Sequence, residues 1–438
     1  GSAVPSTAAH ADIVFAGYGV SAPEYKWDDF KGLDVKGKTI VVLVNDPPIP
    51  DPADPAKLDP NMFKGRAMTY YGRWTYKFEE GARRGAAAVL IVHQTGPAGY
   101  DFRVVQGNLG EKFDIVTPDK NMSRAAIEGW ITLDAAKRLC GMAGQNFDAL
   151  EKAAATRAFK PVPLGVTASM GIANTFRTIN SRNVVAKLEG SDPALKDQYV
   201  VYTAHWDHFG VGDPVNGDRI YNGARDNASG VAGMLEVARA FTQVKPQPKR
   251  SILFTVVTAE EQGLLGSQYY SVDPLYPLAK TAADINIDEM NVYSPSSDVT
   301  VIGMGASDLD DYLKQAAQEQ GRTLHPDSQP EKGFYYRSDH FNFAKQGVPA
   351  LFIESGEKAT DGRAPEYLKK RLDEYEEKDY HAPSDEVKPY WDLRGAAQDA
   401  RLVFAVGYRV ANAAKMPEWK PGNEFKAKRD AMLGRGRQ

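Results

Sequence analysis

The stretch Tyr202-Thr-Ala-His205-Trp-Asp207 is followed by Ala224-Arg-Asp226-Asn-Ala-Ser-Gly230 and then by Thr258-Ala-Glu260-Glu261-Gln-Gly263. Each piece sets side chains able to hold a metal ion just after an apolar run or just before a helix. Residues 199–203 and 252–257 are rich in β-branched and aromatic side chains, the composition of strands buried on both faces of a parallel sheet. In open α/β sheets, sites form beyond the carboxyl ends of the strands. His205 and Glu260 fall where those ends are expected. Between them, residues 229–241 carry Val231, Met234, Leu235, Val237, Ala238 and Phe241 at helical spacing, with Asp226 in the loop leading in. Two strand ends and one helix entry therefore deliver one His, one Asp and two Glu to one place.

Working outward, the 438 residues are enough for two or three domains with a large core. A charged fraction of 25% and a hydrophobic fraction of 42% are those of an ordinary globular protein. The formal net charge of -4 gives no electrostatic footprint for nucleic acid. One cysteine, Cys140, excludes an internal disulfide and any thiolate-rich zinc site, so metal binding rests on His and carboxylates. No run is long and apolar enough to span a membrane. Gly1-Ser2 reads as a cloning scar, so export is not judged from this end of the chain.

Residues 1–11 are small and polar and are expected to be loose. Residues 37–45 read as a strand behind a glycine turn. Residues 46–60 hold six prolines and four aspartates, the mark of a long exposed loop. Helical spacing over 74–84, a turn at Gly85 and a strand over 86–93 make one β-α-β passage. Short helices follow at 131–140, with Thr132 as its cap, and at 147–155. Lys160-Pro-Val-Pro-Leu-Gly165 reads as a linker, and a domain boundary is placed there. From Ser181 strands alternate with helices: strands at 183–188, 198–203, 251–258, 283–287, 299–303 and 348–353, helices at 229–241, 264–270, 308–320, 367–375 and 394–411. The basic stretch 416–438 is expected to be a solvated, partly disordered tail.

Adjacent carboxylates at a strand end point in different directions, so of Glu260 and Glu261 one can hold a metal while its neighbour acts on a water. Asp226 could bridge two ions through its two oxygens, and Asp288, at the end of the next strand, offers a further carboxylate. His381 lies in Tyr380-His-Ala-Pro-Ser-Asp385, a loop before the last helix. A nitrogen-plus-carboxylate set suits zinc, whereas magnesium and calcium take oxygen alone. Two ions about 3.5–4 Å apart would clamp attacking and leaving oxygens and lower the pKa of a shared water. Asp207, two residues past His205, is expected to hold that imidazole from behind. Singly, each feature has a blander reading: a strand-end His as a polar loop residue, which is how His208 and His340 are read, Glu-Glu as a solvated face, Asp before Asn-Ala-Ser-Gly as a helix cap. Three strand ends carrying ligand-type residues in one ordered pattern argue against all of these together.

That ordered pattern resembles the co-catalytic di-zinc aminopeptidases, the family of bacterial leucyl aminopeptidases, aminopeptidase S and the glutamate carboxypeptidases. The matches are His205-Trp-Asp207, Asp226-Asn-Ala-Ser-Gly, Glu260-Glu261-Gln-Gly-Leu-Leu-Gly-Ser267, Asn286-Ile-Asp288, Arg337-Ser-Asp-His340 and Tyr380-His381, spanning 181 to about 412. The resemblance implies an α/β zinc-exopeptidase (phosphorylase/hydrolase-like) fold, with a mixed, mostly parallel sheet between helices, over residues 166–415. It implies two zinc ions: His205 and Asp288 on one, Glu261 and His381 on the other, Asp226 bridging, Glu260 as general base. Residues 12–165 resemble the smaller α+β protease-associated domain carried as an insertion by such enzymes, on Phe15-Ala-Gly-Tyr-Gly19 and Asp34-Val-Lys-Gly-Lys38. In relatives a further peptidase segment precedes that insertion, whereas this sequence starts almost at it. The family also implies peptide substrates and a periplasmic or secreted location.

Within this reading the expected activity is removal of N-terminal residues from peptides. Carboxypeptidase or dipeptidase action on the same scaffold needs a basic clamp, for which Arg337 is the candidate. Glutaminyl cyclase chemistry would use one zinc, and a receptor-like binding protein would have lost ligands that are present here. Phe334, Tyr335, Tyr336 and Tyr380 are candidates for an apolar pocket, against the plainer reading that they are core. The 12–165 domain is expected to carry no chemistry and to limit access to the cleft. Its His93 and its proline-rich loop are read as solvent-facing loop or strand-end features.

Overall fold

A computed structural model describes residues 6–107 and 111–435. The chain divides into two units, one running to Ile179 and taking in Gln329–Tyr336, the other comprising Asn180–Ser328 and the residues from Arg337 on. The first is built on a five-stranded sheet in the order Ile127–Thr132, Ala88–His93, Thr39–Leu43, Ser6–Phe15, Val162–Ala173. All its pairings are parallel except the last, where Ser6–Phe15 runs antiparallel to Val162–Ala173. Thr39–Leu43 is buried at every position, as a central parallel strand requires. The Thr132 hydroxyl accepts from the Ala135 amide at 3.2 Å and starts the helix Leu133–Met142.

Two expectations fail in this unit. Residues 6–11 are not loose but form the first strand, and residues 1–5 lie outside the described residues. Residues 160–165 are not a linker but lead into the strand Val162–Ala173, so the division falls at 179/180. Pro163 is tolerated there because the strand lies at the sheet edge, where one side of the backbone needs no partner. His93 ends its strand as expected but is buried, with its Nε2 3.1 Å from the Tyr100 carbonyl and its ring among Tyr100, Phe102 and Trp130.

The second unit holds a seven-stranded sheet ordered Thr323–Pro326, Asp298–Ile302, Ala350–Glu354, Thr281–Asn286, Tyr199–His205, Ser251–Val257, Val184–Leu188. Thr281–Asn286, Tyr199–His205 and Ser251–Val257 are parallel neighbours, with Val257 opposite His205, so their carboxyl ends lie side by side. Helices Gly230–Gln243, Leu309–Glu319 and Arg394–Asn412 contribute Met234, Leu313 and Val406 to one apolar layer with the sheet residues Tyr202 and Ile285. Tyr270 and Phe343, from Leu265–Val272 and His340–Lys345, cover the other face with Val201 and Leu253. The basic tail is not a solvated arm over its described part. Trp419, Phe425 and Arg429 are buried, the Trp419 indole donates to the Gly347 carbonyl at 2.9 Å, and Lys426–Met432 is helical.

Candidate metal centre

Three parallel strands end side by side. After Ser251–Val257, Ala259 takes a left-handed conformation (φ 56°), which ends strand geometry immediately before Glu260 and Glu261. Asn183 braces this turn, accepting from the Thr258 amide at 3.1 Å and donating to the Gly266 carbonyl at 2.8 Å. The Asp226 turn is fixed from two sides. The Asp385 carboxylate accepts from the Arg225 amide at 3.0 Å and the Asp226 amide at 3.1 Å. Asn227 donates to the Ile287 carbonyl at 3.0 Å and accepts from the Gly230 and Glu289 amides. The Arg225 guanidinium lies 2.7 Å from the Glu289 carboxylate and 4.2 Å from the centre of the Tyr375 ring. The ion pair ties the loop before Asp226 to the loop after Asp288, and the ring holds the same loop to the helix Tyr367–Lys378.

These turns bring the expected donors together. His205 Nε2 is 3.1 Å from Asp226 Oδ1 and 3.2 Å from Asp288 Oδ1. On the other side, His381 Nε2 is 3.3 Å from Asp226 Oδ2 and 3.2 Å from Glu261 Oε2. Asp226 thus turns one oxygen to each group. Tyr380 stacks on the His381 ring at 3.7 Å. Glu260 is buried beside them. The other expected pocket aromatics, Phe334, Tyr335 and Tyr336, fall in the first unit.

The expectation for Asp207 is corrected. Its backbone carbonyl, not its carboxylate, meets His205 Nδ1 at 3.0 Å, and the nearest carboxylate oxygen is 4.0 Å from that nitrogen. The carboxylate accepts instead from the Glu260 amide at 3.2 Å. With its carbonyl engaged by the His205 ring, Asp207 has its side chain left to reach the next loop.

The donor set fits a cation on its chemistry. Burial disfavours charge on His205, but the carboxylates of Asp288, Glu260 and Asp226 outweigh it and hold the ring's proton affinity well above the ordinary imidazole value. Burial likewise opposes charge on His381, and the Asp226 hydrogen bond and the Glu261 charge override it. Burial, then neighbouring carboxylates, push Glu260 well above the usual carboxylate range. Burial would raise Asp226 too, yet the two imidazoles bring it below that range. Crowded carboxylates and imidazoles competing for protons are what a divalent ion would neutralise.

Three contributors were not singled out from sequence. Ser338 donates to Asp288 Oδ2 at 2.5 Å and accepts from the Asn286 amide at 2.7 Å. Asp385 orients the Asp226 turn. His208, read as a loop residue, has Nδ1 2.6 Å from Glu261 Oε1. The only signal for His208 was its spacing of three from His205. A cleft of about 320 Å³, lined by Trp206, Asp207, His208, Gly210, Tyr221 and Gly223 among others, opens beside it.

The family model described as Peptidase family M28 matches residues 183–405, just over half of the chain. The chain belongs to that family. Among curated relatives, the M28 chain is 40% identical over 110 residues to a probable zinc metalloprotease of Pyrenophora teres f. teres, covering 25% of this chain and 23% of the relative. It is 29% identical over 238 residues to leucine aminopeptidase 2 of Trichophyton equinum, covering 51% of this chain and 43% of the relative. It therefore spans less than half the length of these relatives. Among solved structures it is similar to an aminopeptidase from Aneurinibacillus sp. strain AM-1, with a TM-score of 0.44, 19% identity, and coverage of 94% of this chain and 77% of that one. A zinc aminopeptidase from Bacillus subtilis aligns with a TM-score of 0.39 and 21% identity, over 91% of this chain and 74% of that one.

Proposed function

We propose that this M28 chain is a zinc exopeptidase that removes N-terminal residues from peptides. The observation that carries the reading is the division of donors about Asp226, with His205 and Asp288 at one oxygen and Glu261 and His381 at the other. In this reading these five residues hold two zinc ions. The ions would supply Lewis-acid polarisation of the scissile carbonyl and a water acidic enough to lose a proton near neutral pH.

The chain's own part falls to Glu260. Its carboxylate takes the proton of the attacking water and returns it to the departing amine, a role suited to a carboxyl whose proton affinity is raised by burial. Asp207 is a positioning residue: its carbonyl fixes the His205 tautomer with Nε2 facing the carboxylates, and its carboxylate fixes the Glu260 backbone. The N-terminal preference rests on the names of the relatives and on the family resemblance. An extracytoplasmic location, periplasmic or secreted, and a protease-associated character for the first unit rest on the family resemblance alone. Among the described residues no helix is long and apolar enough to cross a membrane.

The test is elemental analysis together with a panel of amino-acid anilides, amine-blocked anilides and short peptides. Two zinc ions per chain and cleavage only of substrates with a free amine are expected. Cleavage from the carboxyl end would replace the aminopeptidase reading, and full activity with one tightly held ion would favour cyclase-type chemistry.

A further inference from the structure

We propose that His208 is a direct ligand of the metal position formed by Asp226, Glu261 and His381, so that this position is closed by two imidazoles and two carboxylates. His208 Nδ1 stands 2.6 Å from Glu261 Oε1, and its side chain is only 6% exposed. Yet neither ring nitrogen of His208 nor Glu261 Oε1 completes a hydrogen bond. The two atoms are close, but the N–H direction does not run along the line between them. Donor atoms that crowd together without sharing a proton are what converging ligands look like. One donor atom each from His208, Asp226 and Glu261 lies within 4.8 Å of the others. His381 meets the opposite oxygen of Glu261, Oε2, so that carboxylate has an imidazole on each side.

Packing fixes the ring in this orientation. Gly223 is left-handed (φ +62°), and a Cβ there would fall 2.6 Å from His208 Cγ, so the ring rests directly on bare backbone. Phe209 packs edge-on at 4.9 Å, and the His381 ring lies 5.9 Å away. A surface imidazole with no task would not need a glycine beneath it.

The two metal positions then differ in kind. The one at His205 has a single imidazole with Asp226 and Asp288, whereas the one at Glu261 has two. Nitrogen-rich sites favour zinc over harder divalent ions such as magnesium and manganese. A chain given one equivalent of zinc therefore fills the Glu261 position first and leaves the more oxygen-rich position exchangeable.

This inference rests on the zinc-centre reading, and the experiment separates the two. Metal-free protein is titrated with zinc against a chromophoric chelator, for the natural chain, His208→Ala and His208→Asn. Asparagine can still donate a hydrogen bond to Glu261 but is a poor zinc ligand. Both variants are expected to weaken the tighter of two sites by more than about 100-fold, beyond the range for losing an outer hydrogen bond. X-ray absorption on the natural chain with one equivalent of zinc should count two imidazoles per ion. Natural affinity in either variant, or a single imidazole in the spectrum, overturns the role of His208 while leaving the zinc centre standing. A natural chain that binds no zinc removes both.

Discussion

Replacing Ser338 by alanine asks whether the hydrogen bonds behind Asp288 set its position. Thr203 Oγ1 donates to Asn286 Oδ1 at 2.8 Å, Asn286 Nδ2 to Ser338 Oγ at 2.7 Å, and Ser338 Oγ to Asp288 Oδ2 at 2.5 Å. Thr203, Asn286 and Ser338 are buried, so none of these groups can turn to water instead. Alanine removes two things. A hydrogen bond to a charged group contributes about 1.5–3 kcal/mol, and a buried amide left without its acceptor costs about 1–3 kcal/mol. The stranded Asn286 amide weakens the metal-free fold. The freed Asp288 carboxylate weakens the ion's position at His205, for which a loss of about 10–100-fold in affinity is the scale of an outer-ligand contact. The assay pairs a melt of metal-free protein with zinc–chelator competition. The melting temperature should fall by several degrees, at roughly 2–4 °C per kcal/mol for a unit of this size, and the weaker zinc site should lose at least tenfold. A lower melting temperature with zinc affinity within about twofold of natural would mean that Ser338 supports the fold and does not place Asp288.

Glu260→Gln should lower kcat by about 10²–10⁴ while zinc content stays unchanged; near-natural turnover would remove it as the base. Lys77, fully buried with Nζ 2.7 Å from the Tyr18 carbonyl and 3.0 Å from that of Asn45, has its pKa brought by burial from 10.5 to about 8, against the pull of Asp46 and Asp29. With the folded pKa below the unfolded one, the native state binds fewer protons across that window, so stability relative to Lys77→Met should rise as pH goes from about 8 towards 10. A difference in urea midpoint that is flat with pH would contradict this. Trp419→Ala should cost about 3–5 kcal/mol of stability, because the indole is buried and hydrogen-bonded; a change below about 1 kcal/mol would restore the picture of a loose tail.

The strands that carry the site were legible because central parallel strands must be apolar on both faces. The residues 199–203 and 252–257 advertise this, and their ends locate His205 and Glu260. What stayed hidden depends on contacts distant in sequence or on which atom of a residue does the work. Asp207 has a carbonyl and a carboxylate, and composition does not say which of them meets His205. Glu261, the partner of His208, lies in the next strand's loop, so nothing local set His208 apart from an ordinary polar loop residue. The edge strand from Val162 was masked by two prolines that an edge position accommodates. In the tail, six lysines and arginines stand against three acidic residues, yet Trp419, Phe425 and even Arg429, whose guanidinium donates to the Leu278 and Thr281 carbonyls, point inward.

The octapeptide Gln329–Tyr336, flanked on both sides by the second unit, belongs to the first. Its Pro330 carbonyl accepts from the Met68 amide at 3.1 Å, Tyr336 donates to the Met68 carbonyl at 3.2 Å, and Glu331 lies 2.9 Å from Arg66. Neither unit is therefore encoded by one uninterrupted piece of gene. A fragment beginning at Asn180 would carry eight residues shaped for surfaces it no longer has, and would expose the buried Tyr336 ring. Swapping the first unit between relatives raises the same difficulty, because the octapeptide has to travel with the segment around Arg66–Tyr70 although more than 250 residues separate them. Recombination that respects only the boundary at 179/180 should yield poorly folded chimeras, and moving the octapeptide along with the unit should rescue them.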